Sequence, residues 1–127
     1  MKTFSSEQSY KTPFIDLNPE SGTFSIKGKS IPENSAVFYK PVFEWLDEYS
    51  QNPAKTTMVD IQMDYFNTSS AKMIADMISV LEKLQASGKS KVTINWHYND
   101  EDDDMLEAGE DFKSITKVSF NLISFTK

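Results

Sequence analysis

The chain has 127 residues, of which 39% are hydrophobic and 25% charged, values that fit one compact globular domain. Nineteen acidic residues against thirteen basic ones leave a net charge of −6, which argues against nucleic-acid binding and against attachment to anionic lipid. There is no cysteine, so disulfide frameworks, thiolate zinc sites and cysteine nucleophiles are excluded.

The N-terminal part of the chain is predicted to be a loose lead-in followed by a β-hairpin. Residues 1–11 are rich in Ser, Lys and Gln and show no signal-peptide pattern, and no later segment has the roughly 20 apolar residues of a membrane span. We therefore expect a cytoplasmic protein with one domain over residues 12–127. Residues 13–18 and the alternating residues 23–28 are typical of two strands, joined by a turn at residues 18–22.

A helix and a central strand are predicted next. Pro41 lies inside the helical pattern, so the helix either begins near Pro41 or kinks there. Residues 55–65 contain the alternating apolar side chains of a strand. The apolar positions that predict the helix are Val37, Phe38, Val42, Trp45, Leu46 and Tyr49.

The second half of the chain alternates helices and strands. An amphipathic helix ends at Gly88, a strand covers residues 92–98, a short acidic helix covers residues 100–114, and a last strand covers residues 118–125. The order β-β-α-β-α-β-α-β predicts an α/β fold, with a mixed sheet of about five strands packed against about three helices. The apolar positions of the amphipathic helix are Ile74, Met77, Ile78, Leu81 and Leu84.

Polar side chains cluster where the central strand is predicted to lead into the amphipathic helix. Asn67, Thr68, Ser69 and Ser70 follow one another there, with Lys72 close behind. One such residue is enough to cap a helix, because its side-chain oxygen accepts a bond from an unpaired N–H group. A phosphoryl group at this point would be stabilised by the remaining N–H groups and by the helix dipole. Capping and phosphate acceptance both stay open on these residues alone.

The predicted third helix is strongly acidic, with eight carboxylates among residues 100–111. The spacing of Asp100, Asp102 and Asp104 is that of a calcium loop, but Met105 stands where glycine is required and Asp111 where glutamate is required. We therefore expect no metal site here. The segment is a solvated helix whose first-turn acids match the dipole, or a docking surface for a basic partner. The candidate docking residues are Asp102, Asp103, Asp104, Glu107 and Glu110.

Catalysis is weakly indicated. His97 is the only histidine, lies between Trp96 and Tyr98 on a predicted strand, and is most simply structural. No nucleophile-elbow glycines surround Ser69, and the four glycines form no phosphate loop. We expect no cofactor. The alternative is a small metal-dependent enzyme that uses the acidic cluster and His97, and it would require tight binding of a divalent ion.

Several motifs together resemble one known family. The segments are Pro32-Glu33-Asn34-Ser35 with Trp45-Leu46, Tyr65-Phe66-Asn67-Thr68-Ser69-Ser70-Ala71-Lys72, Trp96-His97-Tyr98, and residues 102–111. They resemble the SiaC family, small bacterial phosphoproteins that regulate biofilm formation and cyclic-di-GMP signalling. The resemblance spans roughly residues 12–125. It implies a STAS-like fold and the role of an anti-sigma-factor antagonist, a protein that switches partners and has no catalytic activity of its own.

The resemblance also implies partners and a modified residue. An ATP-using protein kinase would phosphorylate a hydroxyl at the strand–helix junction, a PP2C-like phosphatase would remove the phosphate, and the unphosphorylated form would bind and stimulate a diguanylate cyclase. The acceptor falls on Thr68, surrounded by Asn67, Ser70 and Lys72. STAS antagonists usually have Asp-Ser-Ser-Gly at this junction, whereas this chain has Asn-Thr-Ser-Ser, so Ser69 is a second candidate. A STAS-type adaptor with a different output is an alternative.

Overall fold

A computed structural model describes residues 1–126 as one six-stranded sheet with three helices. The strands lie in the sheet in the order of the sequence. The first three pair antiparallel, and β3 to β6 pair parallel. The predicted mixed α/β fold is confirmed, with six strands instead of about five. The elements are β1 (Phe4–Ser6), β2 (Phe14–Asn18), β3 (Thr23–Ser30), α1 (Ser35–Tyr49), β4 (Thr56–Phe66), α2 (Thr68–Ala86), β5 (Lys91–Asn99), α3 (Asp103–Ser114) and β6 (Ser119–Phe125).

All three helices pack on the same face of the sheet. Each helix joins two neighbouring parallel strands, and each connection moves one strand further in the same direction. Because such crossovers are right-handed, every helix is placed on one face. Along β5, Val92, Ile94 and Trp96 are buried toward the helices, whereas the alternate residues are only partly buried. Among residues 1–126, no helix covers the opposite face, which we call the open face.

The core beneath α3 is built around Trp96, which is fully buried. Its ring contacts Phe112 at 5.4 Å and Phe66 at 6.2 Å between centroids. Its Nε1 donates to the Met105 carbonyl oxygen at 3.0 Å, which ties the strand to the helix above it. Helix α3 approaches this ring closely through Gly109, where an added Cβ would lie 2.5 Å from Trp96 Cδ1.

The N-terminal segment is not entirely a loose lead-in. Phe4–Ser6 forms an edge strand that pairs with β2, with Phe4 opposite Leu17, so the prediction for residues 1–11 is wrong for these three residues. Trp45 Nε1 donates to the Lys2 carbonyl oxygen at 2.8 Å and holds the segment against α1. A strand of three residues is too short to show a hydrophobic period, so the sequence carried no sign of it.

Helix α1 begins at Ser35 and contains Pro41, so it does not begin near Pro41. Asn34 Oδ1 caps it by accepting from the Val37 N–H at 3.1 Å. Pro41 has no N–H to donate to the Val37 carbonyl, and both residues are exposed, so the missing helical hydrogen bond lies on the solvent side of α1. Val37 is one of the apolar positions that predicted this helix, and it lies on the exposed side. Among residues 1–126, no helix combines the length and the apolar character needed to cross a bilayer.

Candidate functional site

The three helices begin at the same edge of the sheet, where the parallel strands end. Asn34, Asn67 and Asp102 are the capping residues of α1, α2 and α3. In α/β proteins this carboxyl edge is where ligands and partners are usually bound. The polar junction and the acidic segment therefore lie at the same end of the molecule.

Helix α2 begins with a strong side-chain cap. Asn67 Oδ1 accepts from the Ser70 N–H at 2.9 Å, which confirms the capping interpretation for Asn67. The Asn67 N–H donates to the Ser30 carbonyl oxygen at 3.1 Å, so the cap is anchored to the end of β3. Thr68 is the first residue of the helix and is exposed. Its side chain is thus exposed to solvent at the N-terminus of α2, which is the positive end of the helix dipole.

The three consecutive hydroxyls at this start have different surroundings. Ser69 Oγ donates to Asn67 Oδ1 at 3.1 Å and shares a hydrogen bond with Ser35 Oγ at 2.8 Å. Ser70 is completely buried. Within residues 1–126, Thr68 Oγ1 takes part in none of these hydrogen bonds. Of the three residues, Thr68 is therefore the one that is exposed and whose hydroxyl is outside this set of hydrogen bonds.

A chain of buried hydroxyls, which we call the hydroxyl network, supports the start of α2 from below. Ser30 Oγ donates to Ser70 Oγ at 2.8 Å and shares a hydrogen bond with the Tyr39 hydroxyl at 2.6 Å. Ser35 Oγ lies 3.2 Å from Ser70 Oγ and extends the chain to α1. The network joins β3, α1 and α2 at one point, so these three elements are held in a fixed arrangement beneath Thr68.

Sequence reasoning missed Ser30, Ser35 and Tyr39. Burial raises the pKa of Tyr39, and its hydrogen bond with Ser30 opposes part of that rise, so the phenol stays neutral. One signal could have pointed to Ser30. It continues the alternation of β3 at a position that faces the core, where a polar residue needs a buried partner.

Lys72 lies one turn after Thr68 on the same side of α2. Its Nζ is 3.1 Å from Asp76 Oδ2; the Lys72 side chain is largely exposed and that of Asp76 is about half exposed. The spacing of Thr68, Lys72 and Asp76 is four residues at each step, so the ammonium can reach either neighbour.

The acidic segment forms the start of α3, which begins at Asp103 and not at residue 100. Asp102 Oδ1 accepts from the Met105 N–H at 3.0 Å, so one of the candidate docking carboxylates is the cap of this helix. Asp103 and Asp104 lie in the first turn, where the dipole favours negative charge. Within the part of the chain that the structure describes, no group of three His, Cys, Asp or Glu side chains is placed to hold a metal ion.

The acidic start of α3 lies beside the end of β4. A cavity of about 320 Å³ is lined by Asp64, Tyr65 and Phe66 on one side and by Asp102 and Asp104 on the other. Because Phe66 directly precedes the cap of α2, the fold brings the two sequence-predicted sites next to each other.

His97 belongs to a different surface. On the open face, its Nε2 lies 3.1 Å from Asp60 Oδ1, which also accepts from Asn95 Nδ2 at 3.1 Å. Asn121 Nδ2 donates to Asn95 Oδ1 at 3.0 Å and continues this polar ladder to β6. His97 is thus bonded within the sheet and not to a carboxylate of the acidic segment.

Comparison with known proteins points to a regulatory family. The model of the SiaC family of regulatory phosphoproteins matches residues 6–125. An uncharacterized protein of Pseudomonas aeruginosa strain UCBPP-PA14 is 30% identical over 109 residues, which cover 86% of each chain.

Solved structures share the fold over nearly the whole chain. SiaC of Pseudomonas aeruginosa is 26% identical, with a TM-score of 0.90 over 98% of this chain and 100% of that one. A chain in the crystal structure of the diguanylate cyclase SiaD in complex with its activator SiaC, from the same organism, is 26% identical. Its TM-score is 0.89, and the match covers 96% of this chain and 99% of that one.

Proposed function

Since the chain belongs to the SiaC family of regulatory phosphoproteins, whose members are regulators and not enzymes, we propose that it is a phosphorylation-controlled partner switch. The acceptor in this proposal is the Thr68 hydroxyl. The phosphate comes from an ATP-using protein kinase and is removed by a PP2C-like phosphatase. In its unphosphorylated form the protein binds and stimulates a diguanylate cyclase, and so acts on cyclic-di-GMP signalling and biofilm formation.

The observation that carries the assignment of Thr68 is the difference among the three hydroxyls of the junction. The hydroxyl of Thr68 is exposed, that of Ser69 is held by Asn67 and Ser35, and that of Ser70 is buried. A kinase needs a hydroxyl that can enter its active site without breaking the start of the helix. Thr68 meets this requirement at the lowest cost, and we therefore propose it ahead of Ser69.

The position also suits the phosphorylated product. The phosphate would lie at the N-terminus of a 19-residue helix, where unpaired N–H groups and the positive end of the dipole stabilise negative charge. Lys72, one turn away, can turn from Asp76 toward the phosphate. The modified protein should therefore keep its fold.

Phosphorylation of Thr68 would change the affinity for a partner much more than the stability of the fold. A partner that packs on the start of α2 would have to desolvate a group carrying about −1.5 to −2 charges in place of a neutral hydroxyl. Leaving a charge buried without a partner costs roughly 3–5 kcal/mol, which corresponds to more than a hundredfold in affinity. One phosphate is thus sufficient to release the partner.

A diguanylate cyclase is proposed as the partner that this protein regulates, because SiaC of Pseudomonas aeruginosa, which has a similar fold, is the activator of the diguanylate cyclase SiaD. The exposed carboxylates of α3 are proposed as a second docking surface, since Asp104 lines the cavity beside the junction and the segment carries an excess of negative charge. They are Asp103, Asp104, Glu107 and Glu110, while Asp102 serves as the cap. Replacing Glu107 and Glu110 by Gln should lower the association rate and its dependence on salt.

The decisive experiment compares Thr68→Ala with Ser69→Ala. Both variants and the wild type are incubated with the kinase and ATP, and phosphate uptake is measured by intact and fragment mass spectrometry. We expect uptake to be lost in Thr68→Ala and kept in Ser69→Ala. Uptake by Thr68→Ala at the wild-type stoichiometry would show that the acceptor is wrong.

The output is tested separately by calorimetric titration of the host's diguanylate cyclase with both forms of the protein. Binding by the bare form and by Thr68→Ala, and its loss on phosphorylation, is the expected result. If Thr68 is phosphorylated and neither form binds the cyclase, the protein is a STAS-type adaptor with a different output.

A further inference from the structure

The outer edge of β6 presents unpaired backbone groups. In the sheet, β6 has β5 as its neighbour on one side, and Phe125 O accepts from the Asp100 N–H on that side at 2.9 Å. Because the N–H and C=O groups of alternate residues point in opposite directions, those of Phe120, Leu122 and Ser124 point away from β5. Within residues 1–126 these outward groups have no hydrogen-bond partner.

The two edges of the sheet are protected to different degrees. The β1 edge is only three residues long, which limits pairing with another chain. The β6 edge is seven residues long and contains no charged residue and no proline. Its register with β5 runs without a bulge from Ser119 to Phe125. Folded proteins usually protect a long edge strand against pairing with other chains. An unprotected edge strand therefore indicates that another strand pairs with it in the functional protein.

We propose that β6 pairs antiparallel with β6 of a second copy of the chain, on a two-fold axis at Leu122. In this register Leu122 lies opposite Leu122 of the second copy, and Phe120 lies opposite Ser124 of the second copy. All the outward groups then find partners, giving about six hydrogen bonds between the strands. The result is a continuous sheet that is closed at both ends by the short β1 edges.

The side chains of β6 also suit self-pairing. On the open face, Ile123, which is 38% exposed, would lie opposite Asn121 of the second copy. No charged side chain of β6 would meet a like charge, which is the usual obstacle to pairing of identical strands. An extended segment of another protein could pair with the same outward groups, but the second copy offers an uncharged strand of the same length for all of them.

Most of the acidic side chains of α3 point away from the second copy in this pairing. Gly109 lies over Trp96 of β5 and Leu122 of β6, so α3 sits above the outer two strands. The two-fold axis would place the α3 helices of the two copies on the same face, about 10 Å apart, which is an ordinary packing distance. Ala108 faces β4, so the opposite flank, formed by Asp103, Leu106, Glu110 and Lys113, faces the second copy and carries a net charge of −1, while Asp104, Glu107 and Asp111 point elsewhere.

Sedimentation velocity of the unphosphorylated protein tests the proposal, which does not depend on the phosphate switch. A small interface predicts a weak dimer, so the concentration should run from about 10 μM to about 1 mM. The mass should rise from 14.5 kDa toward twice that value. Ser124→Pro removes an outward N–H without touching the ladder to β5 and should weaken association at least about tenfold. Ser124→Ala keeps that N–H and should associate like the wild type.

A cross-link tests the register itself, because the chain contains no cysteine that could interfere. In the proposed dimer, Asn121 and Ile123 of the second copy form a non-hydrogen-bonded pair with Cα atoms about 4.5 Å apart, within disulfide range. The double variant Asn121→Cys/Ile123→Cys should form a covalent dimer on mild oxidation, and Asn121→Cys alone should not.

Three results would overturn the proposal. They are a wild-type mass that stays monomeric over the whole range, association that Ser124→Pro leaves unchanged, and equal cross-linking of the double and single variants. A chain that stays monomeric but captures an extended peptide along β6 would assign the edge to a foreign strand and also reject the second copy.

Discussion

Helices α2 and α3 start at the same edge of the sheet and use the same local device. In each, a side-chain oxygen accepts from the N–H three residues later, Asn67 from Ser70 at 2.9 Å and Asp102 from Met105 at 3.0 Å. The caps differ in charge and in support. The start of α2 is neutral and rests on the hydroxyl network, whereas the start of α3 carries three consecutive aspartates.

This difference explains why one start is suited to be a switch. The dipole of α3 already has permanent negative charge at its positive end, from Asp102, Asp103 and Asp104. The first turn of α2 contains no acidic residue, so its positive end has no compensating charge. A phosphate on Thr68 would supply that charge reversibly. A helix start can be regulated by a phosphate only if the sequence leaves it neutral.

The largest change in unfolding free energy is expected where α3 contacts the sheet. There, the methyl group added by a Gly109→Ala substitution should displace the helix. Gly109→Ala would normally stabilise a helix by about 1 kcal/mol. Here the new Cβ would lie 2.5 Å from Trp96 Cδ1 and 2.7 Å from Leu122 Cδ2, so we expect a loss of about 2–3 kcal/mol. Urea unfolding measures it, with the exposed Glu107→Ala as control. A more stable Gly109→Ala variant would show that α3 does not approach the sheet this closely.

The next largest effect is expected in the hydroxyl network beneath α2. Ser30→Ala removes the group that hydrogen-bonds both Tyr39 and Ser70 in the interior. Leaving these buried hydroxyls without that partner should cost about 1–3 kcal/mol of unfolding free energy. Thr68→Ala, at the exposed end of the same junction, should change it by less than about 0.5 kcal/mol. Equal losses in the two variants would contradict the network's supporting role.

Exchanging the charges of the two caps tests the comparison directly. Asn67→Asp keeps the cap and adds a negative charge at a neutral start, which should stabilise the protein by about 0.3–1 kcal/mol at low salt. Asp102→Asn should have a smaller effect, because Asp103 and Asp104 still compensate the α3 dipole. Both differences should shrink at about 1 M salt, where the Debye length is near 3 Å. Equal changes in stability for Asn67→Asp and Asp102→Asn would contradict the proposed difference between the two helix starts.

The smallest effect is visible only at alkaline pH and concerns Tyr39. Burial raises its folded-state pKa, so the neutral phenol contributes stability below the unfolded pKa of about 10. That contribution is lost as pH rises through the higher folded pKa, since the unfolded chain ionises more readily. Tyr39→Phe should therefore flatten the fall in stability above about pH 10. Tyr10→Phe, at a residue that is 77% exposed, is the matched control for removing one tyrosine hydroxyl.

Much of the fold was predictable because it depends on local patterns. The alternation of residues 23–28 and 92–98 and the helical spacing of Ile74 to Leu84 predicted strands and helices that the structure contains. The cap at Asn67 was equally local. The assignment of Thr68 came from resemblance to a family, and from the residues alone it could not be separated from Ser69.

The sequence by itself determined the order of the elements from β2 onward, the cap of α2 and the acidic start of α3, because each depends on residues only a few positions apart. The tertiary structure alone decided that Ser30 and Ser35 meet Ser70 and that Tyr39 meets Ser30, since these contacts join residues up to 40 positions apart. It also decided that the β1 edge is short and the β6 edge is open. Hydrogen bonds between distant segments follow from how right-handed crossovers stack the helices, and no local pattern encodes them.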